Sequence, residues 1–144
     1  MNLVIDASVL IKFYLPEILS EKAEELLIRV EQGDVRLFAP DLIYPEAGNI
    51  LWKKQRMKEL TRSEVEEITD AIISLPLKIE TSKLLLPLAM DIGMAYGITV
   101  YDALYLSMAR IYEIKMITAD KRLADVMAKT DLKEYVGWLG SHKW

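Results

Sequence analysis

Three aspartates stand where apolar runs stop or where helices begin, which is where α/β proteins build sites. Asp6 ends the apolar opening Leu3 to Ile5, Asp102 lies at the start of a helical stretch, and Asp120 ends the short strand Lys115 to Thr118. Ligands of open α/β sheets bind in the crevice outside the carboxyl ends of the strands. If the two strands are parallel neighbours, Asp6 and Asp120 share that crevice, and Asp102 joins them from a helix start. Glu46, early in the helix after the second strand, is a fourth candidate. Carboxylates gathered without a counter-charge call for a divalent cation. Mg²⁺ is a hard ion held by few carboxylates together with water and substrate phosphates. It polarises phosphoryl oxygens and lowers the pKa of bound water, and a pair of ions clamps both attacking and leaving oxygens.

Each acid also has a structural reading. Asp6 and Asp120 precede helices, and Asp is a preferred N-cap. Asp102 lies three residues after Thr99 in the spacing of a capping box, and Glu46 suits a charged helix face. It is the conjunction that favours a site. Ser8, two residues after Asp6, and Thr118, two before Asp120, place hydroxyls within reach of the carboxylates or a phosphate, though Ser8 equally suits a local cap. Lys12, about a turn beyond Ser8, is a further candidate for substrate contact. Trp52 to Lys58 is the one basic cluster; such a run is usually a solvated helix face and otherwise a track for a nucleic-acid backbone.

Other chemistries are excluded by what is missing. No cysteine is present, so disulfides, zinc–thiolate sites and a cysteine nucleophile are ruled out. The single histidine, His142, reads as a surface tail residue and makes a Ser-His-Asp triad implausible; the dispersed glycines form no phosphate loop. The net charge of −4 argues against nucleic-acid binding through overall charge, but not against an acidic site neutralised by metal.

The elements that must position these residues follow in order. With 144 residues, of which 52% are apolar and 28% charged, the chain suits one globular domain with a substantial core. Leu3 to Asp6 reads as a buried strand, Ala7 to Tyr14 as a short helix stopped before Pro16, and Ser20 to Gln32 as a helix capped by Ser20 and ended by Gly33. Val35 to Ala39 is a second strand. Pro40-Asp41 opens a helix to about Lys58, with a kink expected at Pro45 unless the helix starts later. Thr61 with Glu64 forms a capping box for a helix to Ser74. These two helices should form a hairpin carrying Ile43, Ile50, Trp52, Ile68 and Ile72, an apolar set suited to a partner. Leu77 to Glu80 is a short extended piece, Ser82 to Tyr96 an apolar helix ended by Gly97, and Thr99 caps a helix to about Tyr112. Lys115 to Thr118 is a strand, Asp120 to Lys129 a long final helix, and Tyr135 to Leu139 an edge strand. Alternating strands and helices predict an α/β fold with a mostly parallel sheet and helices on both faces. The apolar segment Leu84 to Val100, broken by Pro87, Asp91, Gly93 and Gly97, reads as a core helix and not a bilayer span. The N-terminus lacks the pattern of a signal peptide, and the expected setting is cytoplasmic, with no membrane partner.

Four segments together resemble PIN-domain nucleases, and within them the VapC toxins of toxin–antitoxin pairs. VIDASVLIKFYLPE is similar to the family's strand-Asp-x-Ser/Thr opening. APDLIYPEAGNILWK resembles its Pro-Asp-Leu…Glu…Asn-x-Leu helix and puts the second acid at Glu46. ITVYDALYLSMA supplies Asp102, and ITADKRL supplies Asp120, in the family's order from Met1 to about Leu123. The resemblance implies a three-layer α/β/α sandwich and a Mg²⁺- or Mn²⁺-dependent endoribonuclease acting on RNA through Asp6, Glu46, Asp102 and Asp120. It further implies a homodimer inhibited by a small antitoxin, although PIN domains without a toxin role occur in RNA processing and DNA repair. Pro45 beside Glu46 departs from the pattern. A Mg²⁺-binding receiver-like switch is the rival from another class, but it needs adjacent acids after its first strand, where this chain has Asp6-Ala7. A haloacid-dehalogenase-like phosphatase needs Asp-x-Asp there, where this chain has Asp6-Ala7-Ser8. A PIN scaffold that only binds partners would not need all four acids.

Overall fold

The structure, a computed structural model, describes residues 1–144. Its centre is β1 (Asn2–Ile5), whose Leu3, Val4 and Ile5 are buried on both faces. Such a continuous apolar run is the signature of a strand covered by helices on either side. β1 pairs in parallel with β2 (Arg36–Pro40) and with β4 (Lys115–Thr118), setting Val4 against Phe38 on one side and Met116 on the other. β3 (Leu77–Glu80) pairs with β2, and β5 (Val136–Trp138) with β4, so the five-stranded sheet has the order β3-β2-β1-β4-β5. Every pairing is parallel, which goes beyond the mostly parallel sheet expected. Parallel neighbours require crossover connections, and the helices supply them.

The strand order reverses at β1. From β1 the chain runs through α1 (Ala7–Lys12) and α2 (Ser20–Glu31) to β2, then through α3 (Ile43–Arg56) and α4 (Arg62–Ser74) to β3. It then returns across β1 through α5 (Ser82–Tyr96) and α6 (Val100–Tyr112) to β4, and α7 (Lys121–Met127) leads to β5. α1 packs against α2 and α3, and α3 against α4; α5 and α6 pack together, with α6 laid on β1, β2 and β4. The result is an α/β sandwich with one core of apolar residues from the sheet and from both groups of helices. No single helix is long and apolar enough to cross a membrane; α5 and α6 together have the composition, but they meet at a bend of 115°.

Several local expectations are corrected. Ser20 does not cap α2: its hydroxyl accepts from the Glu17 amide and donates to the Leu15 carbonyl, both at 2.7 Å, and so serves the preceding turn. Leu19 holds the cap position in the left-handed region, at φ 70°. α3 starts at Ile43, not at Pro40-Asp41, because the Asp41 carboxylate is taken by the Ser82 amide. Pro45 is therefore the third residue of α3, where its missing N–H would have had no helical partner anyway, and no kink is required. α7 ends at Met127 rather than running to Lys129, because the chain turns there to lay β5 beside β4. Of the apolar set expected in the hairpin, Ile43 and Ile72 are core residues, Ile50 and Ile68 are half-buried, and only Trp52 is exposed. The Thr61–Glu64 capping box is present as expected.

Candidate active site

The β1–β4 junction, where the sheet changes direction, is the crevice position for ligands in such folds. Asp6 leaves β1 there and caps α1, accepting from the Val9 amide at 3.2 Å. Its Oδ1 also accepts from the Ser8 hydroxyl and its Oδ2 from the Thr118 hydroxyl, each at 2.5 Å. Those hydroxyls tie the two strand ends together, because Ser8 Oγ accepts the Ala119 amide and Thr118 Oγ accepts the Asp120 amide. Asp120 caps α7, its Oδ1 accepting from the Arg122 and Leu123 amides. Both aspartates thus cap a helix and line the crevice as well.

Asp102 sits in the first turn of α6, held by the Thr99 hydroxyl that accepts its backbone amide at 3.1 Å. Glu46 approaches from the first turn of α3, and the Tyr105 hydroxyl donates to its Oε1 at 2.6 Å. Asp6, Ser8, Glu46, Asp102 and Asp120 line one crevice of about 470 Å³, with Tyr101, Tyr105 and Asn49 among its other walls. Thr118 lies beneath it, buried against Asp6.

Electrostatics favour a cation here. Burial pushes Asp6 up to about 6, against the opposing hydrogen bonds from Ser8, Thr118 and Val9, and the Asp102 charge adds to the rise. Burial also raises Glu46, countered by the Tyr105 hydrogen bond and reinforced by Asp102, while Asp102 is raised by its own burial and then by Asp120. None of the four acids is in an ion pair, unlike Glu17, Glu25, Glu59, Glu66 and Asp125 elsewhere. The donors are all hard oxygens, which suits Mg²⁺ or Mn²⁺ chemistry. No three acidic side chains converge as a ready cage for one ion. The hydrogen bonds explain this, since Asp6, Glu46 and Asp120 are each held by donors of the protein. An ion would thus take few of these carboxylates directly, with water or phosphate filling the rest of its shell, as Mg²⁺ commonly does.

Lys12 is not brought to this crevice. Its ammonium pairs with Glu17 at 3.0 Å, and Lys54 of the basic stretch bridges Glu17 and Glu59 at 3.1 and 3.4 Å. Glu17, Lys54 and Glu59 border a separate, larger cavity of about 570 Å³ between the end of α1 and the α3–α4 hairpin. Its paired charges make it a poor catalytic centre. His142 is half-buried against Trp144, ring centroids 4.4 Å apart, and is not a free tail residue. Tyr105 is the residue that sequence reasoning missed. The available signal was its place three residues after Asp102 on the same helix face.

A family model described as PIN domain matches residues 3–129. The chain is 32% identical over 127 residues to Ribonuclease VapC3 of Pyrobaculum aerophilum, covering 87% of this chain and 94% of that protein. Among solved structures it is similar to PAE2754 from Pyrobaculum aerophilum, with a TM-score of 0.69, 21% identity, and coverage of 98% of this chain and 85% of that one. A toxin-antitoxin complex from Klebsiella pneumoniae gives a TM-score of 0.63 at 13% identity, covering 93% and 94%. VapBC2 from Rickettsia felis, bound to a DNA fragment from its promoter, gives 0.65 at 10% identity, covering 96% and 98%.

Proposed function

The chain belongs to the PIN-domain family, and on that premise we propose that it is a metal-dependent endoribonuclease, the toxin of a toxin–antitoxin pair. The observation that carries the reading is the crevice at the sheet's switch point, lined by Asp6, Glu46, Asp102 and Asp120 with no cationic side chain to balance them. A protein of the same family that is named a ribonuclease, at 32% identity, supports RNA as the substrate. The likeness in fold to toxin-antitoxin complexes supports the biological role.

Mg²⁺ or Mn²⁺ would be held among Asp6, Asp102, Asp120 and Glu46, taking few of them directly and the others through water. When bound, the ion supplies polarisation of a phosphoryl oxygen and a lowered pKa for water. The chain's own contributions are positional and acid–base. Ser8 and Thr118 hold both oxygens of Asp6, so that carboxylate meets a ligand without reorganising. Tyr105 holds Glu46 Oε1. Glu46 Oε2 is left free of protein donors and would take the proton of the attacking water.

The partner surfaces follow from the same reading. The cavity beside the hairpin has Leu15, Leu60 and Ile68 in its walls and Glu59, Glu64 and Glu67 around them, which suits an antitoxin segment of mixed apolar and basic character. A homodimer would use α5, which is apolar on its outer side as well as its inner one: Leu84, Leu86, Met90 and Met94 are exposed. A cytoplasmic setting belongs to this reading. The test is cleavage of RNA by purified protein freed of any partner. Cleavage that requires Mg²⁺ or Mn²⁺ and stops with chelator supports it; no cleavage with any divalent ion refutes it.

A further inference from the structure

The charge balance of the crevice limits how a polyanion can be held there. None of its lining residues is Lys or Arg, while Asp6, Glu46, Asp102 and Asp120 all line it. Nucleic-acid affinity normally comes mainly from cationic contacts to phosphates. Here a bound cation can serve the phosphate at the reacting centre, and whatever affinity the crevice walls add comes from uncharged contacts. The wall beside the carboxylates offers them. Leu42, Pro45 and Ile50 make it apolar, Asn49 adds an amide, and Tyr101 is an aromatic ring with 63% of its surface exposed. Tyr101, Asp102 and Tyr105 all belong to α6, and all three line the crevice.

We propose that Tyr101 is a stacking platform for one unpaired nucleobase, with Leu42, Pro45 and Ile50 as the apolar side of that subsite and Asn49 meeting the base edge. Aromatic rings bind single strands in this way because every base presents a π-face, and the contact needs no phosphate charge. A duplex keeps those faces stacked internally. The subsite therefore makes the enzyme selective for single-stranded RNA and positions the strand before the phosphate reaches the carboxylates. The inference rests on the ribonuclease reading.

The experiment compares wild type, Tyr101→Ala and Tyr101→Phe on a fluorescein-labelled unstructured RNA and on the same strand annealed to its complement, with Mn²⁺. Wild type is expected to prefer the single strand. Tyr101→Ala is expected to raise KM by about tenfold, as expected for one lost base stack, with the loss on KM and not kcat. Tyr101→Phe should recover most of it, because the ring and not the hydroxyl is used. Thermal unfolding with and without Mn²⁺, and light scattering, accompany the kinetics. Unchanged KM in Tyr101→Ala, equal cleavage of the duplex, or loss of metal stabilisation or of the dimer in that variant overturns the subsite alone. Absence of any RNA cleavage by wild type overturns the ribonuclease reading, and the subsite with it.

Discussion

The Tyr105 hydroxyl donates to Glu46 Oε1 at 2.6 Å, joining α6 to α3 across 59 residues of sequence. The ring is buried, so packing fixes the hydroxyl, and the hydroxyl in turn fixes the acid at the crevice wall. Tyr105→Phe keeps the ring's packing and removes only this donor. A hydrogen bond to the ionised form holds a carboxylate's pKa down, so its loss raises Glu46 further. The expected outcome is a rate lower by about tenfold, a part of the roughly 10²–10⁴-fold that a positioned acid–base group contributes. The acidic limb of the pH–rate profile should move to higher pH. Rates measured across pH for both proteins check it; a uniform fall with no shift would contradict the positioning role.

Asp6 predicts how stability responds to pH in the chelated protein. Its folded pKa is about 6 against 3.8 for the free side chain, so between those values the folded state holds more protons than the unfolded one. Stability must then fall as pH rises through that window, by on the order of 3 kcal/mol at most. Denaturant unfolding at pH 5 and pH 7.5 with chelator should show the loss, and Asp6→Asn should show less of it. Equal pH slopes in the two proteins would contradict the assignment.

Thr118 donates to Asp6 Oδ2 and accepts the Asp120 amide, so it serves both strand ends at once. Thr118→Val keeps the shape and strands both partners. A loss of roughly 1–3 kcal/mol is expected, larger at pH 7.5 than at pH 5, where Asp6 is increasingly protonated. Urea unfolding at the two pH values measures this. A pH-independent loss would mean that Thr118 acts by packing alone.

The exposed apolar side of α5 predicts a dimer. Leu86 and Met90 are exposed within the protomer, so changing both to Lys should leave its thermal unfolding within a few degrees of wild type. Light scattering should report a dimer for wild type and a monomer for the double variant. A wild-type monomer at micromolar concentration would contradict it.

What could be read from sequence and what could not divide along physical lines. β4 was readable to the residue because Met116 and Ile117 form an apolar run with abrupt ends, and the Thr61–Glu64 box because its partners are three residues apart. Asp6, Glu46, Asp102 and Asp120 could be picked out because acids at strand ends and helix starts carry a positional signal. Their meeting in one crevice depended on β1 and β4 being parallel neighbours, which alternation of elements favours. The failures involve choices among competing donors. Ser20 had a turn to satisfy as well as a helix, Asp41 found the Ser82 amide, and Lys12 found Glu17. Tyr105 is the limiting case: its spacing from Asp102 puts it on the same helix face, but its partner Glu46 is 59 residues away and is met only in the fold.

On the reading proposed above, the crevice carboxylates bind a divalent cation and are not merely helix caps. Asn caps a helix about as well as Asp, so Asp6→Asn and Asp120→Asn separate the two roles. The direct measurement is the unfolding free energy of wild type and both variants with chelator and with Mg²⁺ at about 100 times its dissociation constant, where one site adds roughly 2.7 kcal/mol. Wild type should gain about that much and each variant a small fraction of it, while both remain folded in chelator. Equal Mg²⁺-induced stabilisation in all three proteins would show that these aspartates are caps and would contradict the account.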